Sequence, residues 1–533
     1  MGSLHEPSSS ASSTGGIHGN ESISSSSLQS EQETQSYDAD QVFQAITSFY
    51  TQGPSQSKDA DKWLKNFQKS AYAWQVCDNL LTTKRSKESC FFAAQTLKSK
   101  LIADIHELPK ESFEGLRESM LSHLETFAKL GAEVCPANLS TQLILAIADL
   151  TLQMPSWQDP VKDMITRYIQ DEVYLTYLLE YLTLLPEELH NKALRLGNAR
   201  RQSAIATLQA SSGMVLDILK KLLTDFKSLN YNSLMKLFKC LGAWGNLALF
   251  DVEELYNSNI LAIPFQIIQV IPNPEEHLSA KTTTLANGCS SELHEIATDC
   301  ICSIMWPCEN INKYWPISLQ IAEYSLQTFQ LCWEVVIQQD DLDKSTNLAR
   351  LFIELNEGLL QILVDAQYIE IGEAPNIILN KYDGINIDTQ TAFERLSSFG
   401  NLDSVLATCS HPSFEVTQIT FNYFHRMADY LYSIGSHAMC AMFRETVEKL
   451  ILALWKQMAV DEDTEGLIDE GNDHDIFEFR RRSGELIADT AFIAGPENIA
   501  AEIWRKVKDD ASNWTKSEAG LEVISCVCFK IDR

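Results

Sequence analysis

From Asp38 onward the chain reads as helix after helix: apolar residues recur at three- and four-residue spacing, and no stretch shows the strict alternation of a half-buried strand. Glu88 to Ile105, Leu116 to Leu130, Asn138 to Met154 and Val161 to Gln170 are successive amphipathic units. Pro109, Pro136, Pro155 and Pro160 stand between them, where a residue with no amide hydrogen turns the chain back. The series continues through Val173 to Leu185, Ser203 to Leu223, Tyr231 to Phe250 and Glu292 to Trp306, then Pro316 to Gln339 and Leu342 to Ala366. Leu402 to Leu431, His437 to Met458 and Ile476 to Gly495 complete it. A pair of amphipathic helices cannot bury its apolar faces alone, so each pair needs a neighbour to stack on. Pairs recurring about every 40 to 50 residues without tight identity match HEAT-type repeats better than tetratricopeptide or ankyrin patterns. The expected fold class is therefore all-α, a HEAT-type helical-repeat superhelix.

The first such pair lies in Ala45 to Leu81. A short apolar helix carrying Ala45, Ile46, Phe49 and Tyr50 runs into the breaker Gly53-Pro54. A longer helix follows, whose Leu64, Phe67, Ala71 and Trp74 are spaced to share one buried face.

Composition limits what such a stack can do. The 42 basic and 72 acidic residues leave a formal charge of -30, which repels phosphate backbones and favours basic protein partners over nucleic acid. The cysteines are scattered singly inside apolar helical stretches, as at Cys77, Cys90, Cys135 and Cys240, the usage of a reducing compartment. The N-terminus lacks the basic and apolar regions of a secretory signal, and no run reaches the roughly 18 apolar residues of a membrane span. A soluble protein of the cytosol or nucleus, with no membrane insertion, is expected. Residues 1–37 are Ser-rich and almost without large apolar side chains, hence a flexible tail. The solenoid is expected over 38–521, with loop inserts at 271–291 and 368–391 and a divergent tail at 522–533. An acidic loop, Asp461 to Asp475, carries Asp461, Glu462, Asp463, Glu465, Asp469, Glu470, Asp473 and Asp475. It reads either as a solvated face or as a docking loop for a basic surface.

No phosphate-binding glycine loop, HExxH zinc helix, GxSxG nucleophile elbow or Rossmann fingerprint is present. No enzymatic activity and no cofactor are expected. Cys289, His294, Cys300, Cys302 and Cys308 cluster in sequence, but their spacing is not that of zinc ligands, and Cys300 and Cys302 point to different helix faces. No metal site is therefore expected. His411 and His425 read as packing or capping residues, and Trp244, Trp306, Trp333 and Trp455 as core anchors between stacked hairpins. Function in a solenoid is expected on the concave face, as binding of whole proteins.

Particular residues carry a family resemblance. Ala45, Tyr50, Trp63-Leu64, Phe67-Gln68, Ser70, Ala73-Trp74 and Leu80-Leu81 resemble the N-terminal repeat of importin-beta-type karyopherins, expected here over 40–110. Cys90 to Lys98, Leu145 to Leu150, Gln153 to Trp157 and Leu184 to Glu188 narrow the resemblance to the transportin-3, or transportin-SR, branch, with importin-13 as a near relative. Arg195 to Gly197 with Arg200-Arg201, Cys240 to Trp244, His294-Glu295 with Asp299-Cys300, Glu357, and Phe477 to Arg480 extend it in family order to about Leu521. The resemblance implies a nuclear import receptor that shuttles between cytoplasm and nucleus, passes nuclear pore proteins and binds the GTPase Ran in its GTP form. It also implies basic, arginine-serine-rich protein cargo. By resemblance, Ran docks on the inner helices of the first repeats, where Gln95, Lys98, Gln142 and Asp149 are the exposed polar candidates, and on acidic surface further along, where the eight acidic loop residues above are the candidates. Family members carry many more repeats than Arg533 allows, and their cargo site lies largely in those repeats. The alternative from another class is a non-transport HEAT scaffold assembling a multiprotein complex.

Overall fold

The computed structural model describes residues 37–51, 54–131, 136–224, 229, 231–270, 290–382, 387–398, 402–459, 474–509 and 513–528. The described residues are helical almost throughout, with no strand among them. The first half comprises α1 (Ala39–Thr51), α2 (Pro54–Gln68), α3 (Tyr72–Thr83), α4 (Lys87–Asp104), α5 (Phe113–Leu130), α6 (Ala137–Gln153), α7 (Pro160–Tyr168), α8 (Glu172–Glu188), α9 (Asn198–Thr224), α10 (Tyr231–Asn246), α11 (Val252–Ser258) and α12 (Ala262–Ile268). Then come α13 (Ser291–Met305), α14 (Ile311–Gln338), α15 (Leu342–Glu370), α16 (Asn376–Tyr382), α17 (Ile387–Leu396), α18 (Leu402–Cys409), α19 (Phe414–Gln418), α20 (Phe421–Ile434), α21 (His437–Met458), α22 (His474–Ala494), α23 (Pro496–Asp509) and α24 (Trp514–Cys528).

Local chemistry sets the ends of these helices. Ser86 and Ser89 form a reciprocal capping box at α4, while Asp171, Ser290 and Ser436 cap α8, α13 and α21 by accepting from backbone N–H groups of the first turn. Gly435, at φ 67°, closes α20 in the left-handed conformation.

The helices form two rows. In the central row α4, α6, α8, α10, α13 and α15 each pack on the next. The flanking row, α5, α7, α9, α11 with α12, and α14, covers their apolar sides. One hydrophobic cluster runs from Tyr37 to Val416; a second begins at Ile353 on α15 and continues to Val527, so α15 belongs to both. Trp244 and Trp333 are fully or almost fully buried anchors, and Trp244 Nε1 donates to the Leu182 carbonyl at 2.7 Å, tying α10 to α8. At α10 and α13 the approach is close: a Cβ on Gly245 would lie 2.4 Å from Ile304 Cγ1. The periodic helices and their stack are thus as expected, an all-α repeat solenoid.

Several local readings are corrected. Ala71 is exposed, because turn bonds from Lys69 to Asn66 and from Ser70 to Phe67 end α2 and restart the chain as α3 in a rotated register. Leu64, Phe67 and Trp74 are buried on the two separate helices. Of the apolar residues assigned to the first helix, Ile46 is buried while Phe49 and Tyr50 are exposed. Leu402 to Leu431 divides into α18, α19 and α20, with Pro412 and a His411 Nδ1 that accepts from the Ser413 N–H at the first break. The expected loop at 368–391 begins inside α15 and contains α16, which Lys381 ties to the nearly buried Asp365 at 3.0 Å. Helix α24 runs on through the expected divergent tail to Cys528. Trp306, expected as a core anchor, is 69% exposed, since it opens a 3-10 turn at Pro307 that leaves the register of α13. The Ser-rich tail before Tyr37, the insert at 271–289 and the acidic residues before His474 lie outside the described residues.

Candidate protein-docking face

The central row is stitched by side chains that cross from helix to helix. Gln68 Nε2 donates to Thr96 Oγ1 at 3.0 Å between α2 and α4, and Gln153 Nε2 to the Leu101 carbonyl at 2.8 Å between α6 and α4. Thr141 of α6 donates to Glu180 of α8, which also takes Lys236 of α10 at 2.7 Å. Further along, Arg350 of α15 binds Asp299 of α13 at 2.6 Å, and Asn422 and Arg426 of α20 both reach Glu357 of α15. These ties consume much of the row's polar chemistry in holding register, and what remains exposed is available to a partner.

The four residues assigned to a GTPase sit on adjacent helices of this row, with unequal access. Gln95 is exposed, and Lys98, one turn on along α4, is half-buried. Gln142 is half-buried on α6. Asp149, two turns further along the same stripe of α6, has no solvent-accessible surface, which corrects its expected exposure. Its carboxylate oxygens find no hydrogen-bond donor, and it meets Glu188 of the neighbouring α8. Burial, reinforced by the Glu188 charge and partly offset by Lys98, pushes its carboxyl up to about 8. A side chain with no accessible surface cannot be a contact residue. Of the acidic loop, Asp461, Glu462, Asp463, Glu465, Asp469, Glu470 and Asp473 lie outside the described residues; Asp475 is exposed in the first turn of α22, where a negative charge also favours the helix dipole.

Three features escaped the sequence reading. Lys58, Lys62, Lys65 and Lys69 form an exposed basic stripe along α2 and just past its end, in a chain that is acidic overall. Their spacing of four, three and four residues was the available signal. Lys100 of α4 is 1% exposed and charge-paired with Asp104 at 2.9 Å and Glu107 at 2.6 Å, while Glu107 also accepts from Trp74 Nε1 at 3.0 Å. A cleft of about 190 Å³ between α8, α10 and α13 presents Glu187, His190, Lys239, Asp299 and Ser303. Partial desolvation in this cleft and the Glu188 charge raise the Glu187 carboxyl above its ordinary value, although the residue remains exposed.

None of these arrangements suits bond-making. Ser119, His123 and Asp78 meet, but both oxygens address the same ring nitrogen of His123, Nε2, so no relay from base to nucleophile exists. The His123 hydrogen bond instead holds Asp78 below the usual carboxylate range. Cys300 faces α10 at Gly242, and Cys302 faces Glu354 of α15; both thiols are pushed up by burial. Among the described residues, no three His, Cys, Asp or Glu side chains are placed to hold a metal ion, and no helix is long and apolar enough to cross a membrane. What the geometry offers is a long, partly charged face.

Three family models match successive segments: the Importin-beta N-terminal domain at residues 60–126, Exportin 1-like protein at 136–285, and the Transportin-3/Importin-13 second TPR domain at 340–456. Segment by segment, the chain is thus similar to importin-beta-type karyopherins. The third model, with relatives named transportin and importin-13, puts that similarity on the transportin-3/importin-13 side. It is 24% identical over 501 residues to Transportin MOS14 of Arabidopsis thaliana, covering 87% of this chain and 45% of that protein. It is likewise 24% identical over 506 residues to the mRNA transport regulator MTR10 of Saccharomyces cerevisiae, covering 91% of this chain and 46% of the relative. The solved structure described as importin13 in its cytosolic state superposes with a TM-score of 0.57 at 14% identity, over 82% of this chain and 46% of that one. That likeness concerns the fold. The chain spans about half the length of these two relatives.

Proposed function

We propose that this chain acts in nuclear import, as a receptor that binds a Ran-type GTPase in its GTP form. In this reading it carries basic, arginine-serine-rich protein cargo past nuclear pore proteins, moving between cytoplasm and nucleus, and it is not an enzyme. The observation that carries the reading is the Importin-beta N-terminal domain match at 60–126, which spans the α4 face where Gln95 and Lys98 remain accessible. The transport-related names of its relatives support it, and so does the formal charge of -30, which suits basic cargo. Gln95, Lys98 and Gln142 are the contact candidates, Asp475 and the acidic residues before it a second charged contact, and Asp149 supports the face from behind.

The test is retention of purified Ran, locked in its GTP or GDP form, on the immobilised chain. Retention of the GTP form, weakened about tenfold or more by joint Gln95→Ala and Lys98→Glu substitution, is expected. Equal retention of both forms would instead favour a scaffold.

A further inference from the structure

Every other cross-row tie described above pairs a donor with an acceptor, whereas the α6–α8 seam also brings two acids together. Asp149 and Glu188 stand 39 residues apart in sequence, as do Thr141 and Glu180, so the two pairs share one register between parallel helices. Asn191 Nδ2 donates to Glu188 Oε2 at 2.5 Å, whereas neither oxygen of the fully buried Asp149 receives a donor. The charged groups around the pair come from each packed element. Lys98 of α4 acts on Asp149, Glu187 of α8 lies beside Glu188, and Lys239 of α10 acts on Glu187. Arg200 of α9 is bound to the carbonyls of Thr151 and Leu152, and α5 turns Glu118 and Glu125 toward Arg167 of α7. No neighbour supplies a hydrogen bond to an ionised Asp149, and a carboxylate away from water beside the partly exposed Glu188 is disfavoured in its charged form.

We propose that a proton held on the buried Asp149 latches α6 to α8, and that losing this proton loosens the seam, making it a pH-sensitive joint in the central row. The single O–H, on Asp149, donates to the neighbouring Glu188 carboxylate; its release to solvent leaves two adjacent anions. The closed seam holds the proton up to about pH 8, while an opened Asp149 returns toward its ordinary 3.8. The opened state therefore binds fewer protons across that window, and opening grows easier as pH rises through it. The joint is a property of the free chain and stands whatever docks on the face.

Amide exchange resolved by peptide, from about pH 6 to 9 and corrected for intrinsic exchange, tests it. Peptides of α6 and α8 are expected to lose protection by up to about tenfold per pH unit, flattening above about pH 8, while those of α22 and α24 do not. Asp149→Asn, whose amide mimics the protonated acid, should remove the slope; Glu188→Gln, which takes away the second charge but leaves Asp149 buried, should reduce it and serves if the first variant folds poorly. The infrared band of a protonated buried carboxyl should be present at neutral pH in the native chain and absent from D149N. A flat profile for α6 and α8 in the native chain overturns the proposal without recourse to any variant, and so does an unchanged slope in D149N.

Discussion

The α6–α8 and α22–α24 seams both place polar groups between packed helices, and they satisfy them in opposite ways. In the later seam Arg480, 11% exposed, donates to both oxygens of Glu518 at 2.6 and 2.7 Å and to Glu522 at 3.0 Å through Nε. A rigid guanidinium fork satisfies two carboxylates at once. In the earlier seam Asp149 has no such fork, and its charge is suppressed instead. The same residue type is thus a strong tie or a conditional one, according to whether a basic donor reaches it. Side-chain charge read from sequence cannot decide which.

Trp244→Ala, which empties a fully buried site and cuts the tie to Leu182, should cost about 3–5 kcal/mol. In a solenoid that lesion should unzip α8 and α10, and with them the earlier seam, while amide exchange at α22 and α24 stays slow. Simultaneous loss of both would mean that they belong to one cooperative unit and cannot be compared separately.

His294, at the α13–α15 contact with Asn347, adds an acid limb. Burial, helped by Lys344, holds its imidazole down to about 4 from an ordinary 6.5. The unfolded chain therefore takes up a proton first, and stability should fall by up to about 3 kcal/mol as pH drops from about 6.5 to 4. Denaturant titrations should show this fall flattened in His294→Gln. Arg480→Ala should destabilise by about 1–3 kcal/mol at neutral pH, whereas Asp149→Asn at about pH 8 should stabilise by a similar amount. Chemical denaturation of the two variants reads the opposite signs directly, and equal signs would erase the contrast.

Much of the fold was legible because helices announce themselves locally. Pro136, Pro155 and Pro160 mark real breaks, and the apolar stripes of α6 and α8 are the buried ones. The errors arose where burial depends on a distant segment. Trp306 has the helical spacing of an anchor, but Pro307 turns it away from the stack. Asp149 shares a stripe with the half-buried Gln142, and what hides it is the packing of α6 against its neighbouring helices. The mixture of Gly, Asn and Asp after Glu370 read as loop, yet Pro375 starts α16 and Lys381 anchors it to Asp365. Of the candidate site, Gln95 and Lys98 were visible as polar positions on an amphipathic helix, but the division between contact and support was not.

Because each helix of the central row leans chiefly on its two neighbours, the row behaves mechanically as springs joined end to end. In such a series compliances add, so the softest joint takes most of any bend imposed on the whole. Stiffening a joint already braced by arginine would change the overall curvature little. A single uncompensated acid at α6–α8 would set how readily the entire coil opens or tightens.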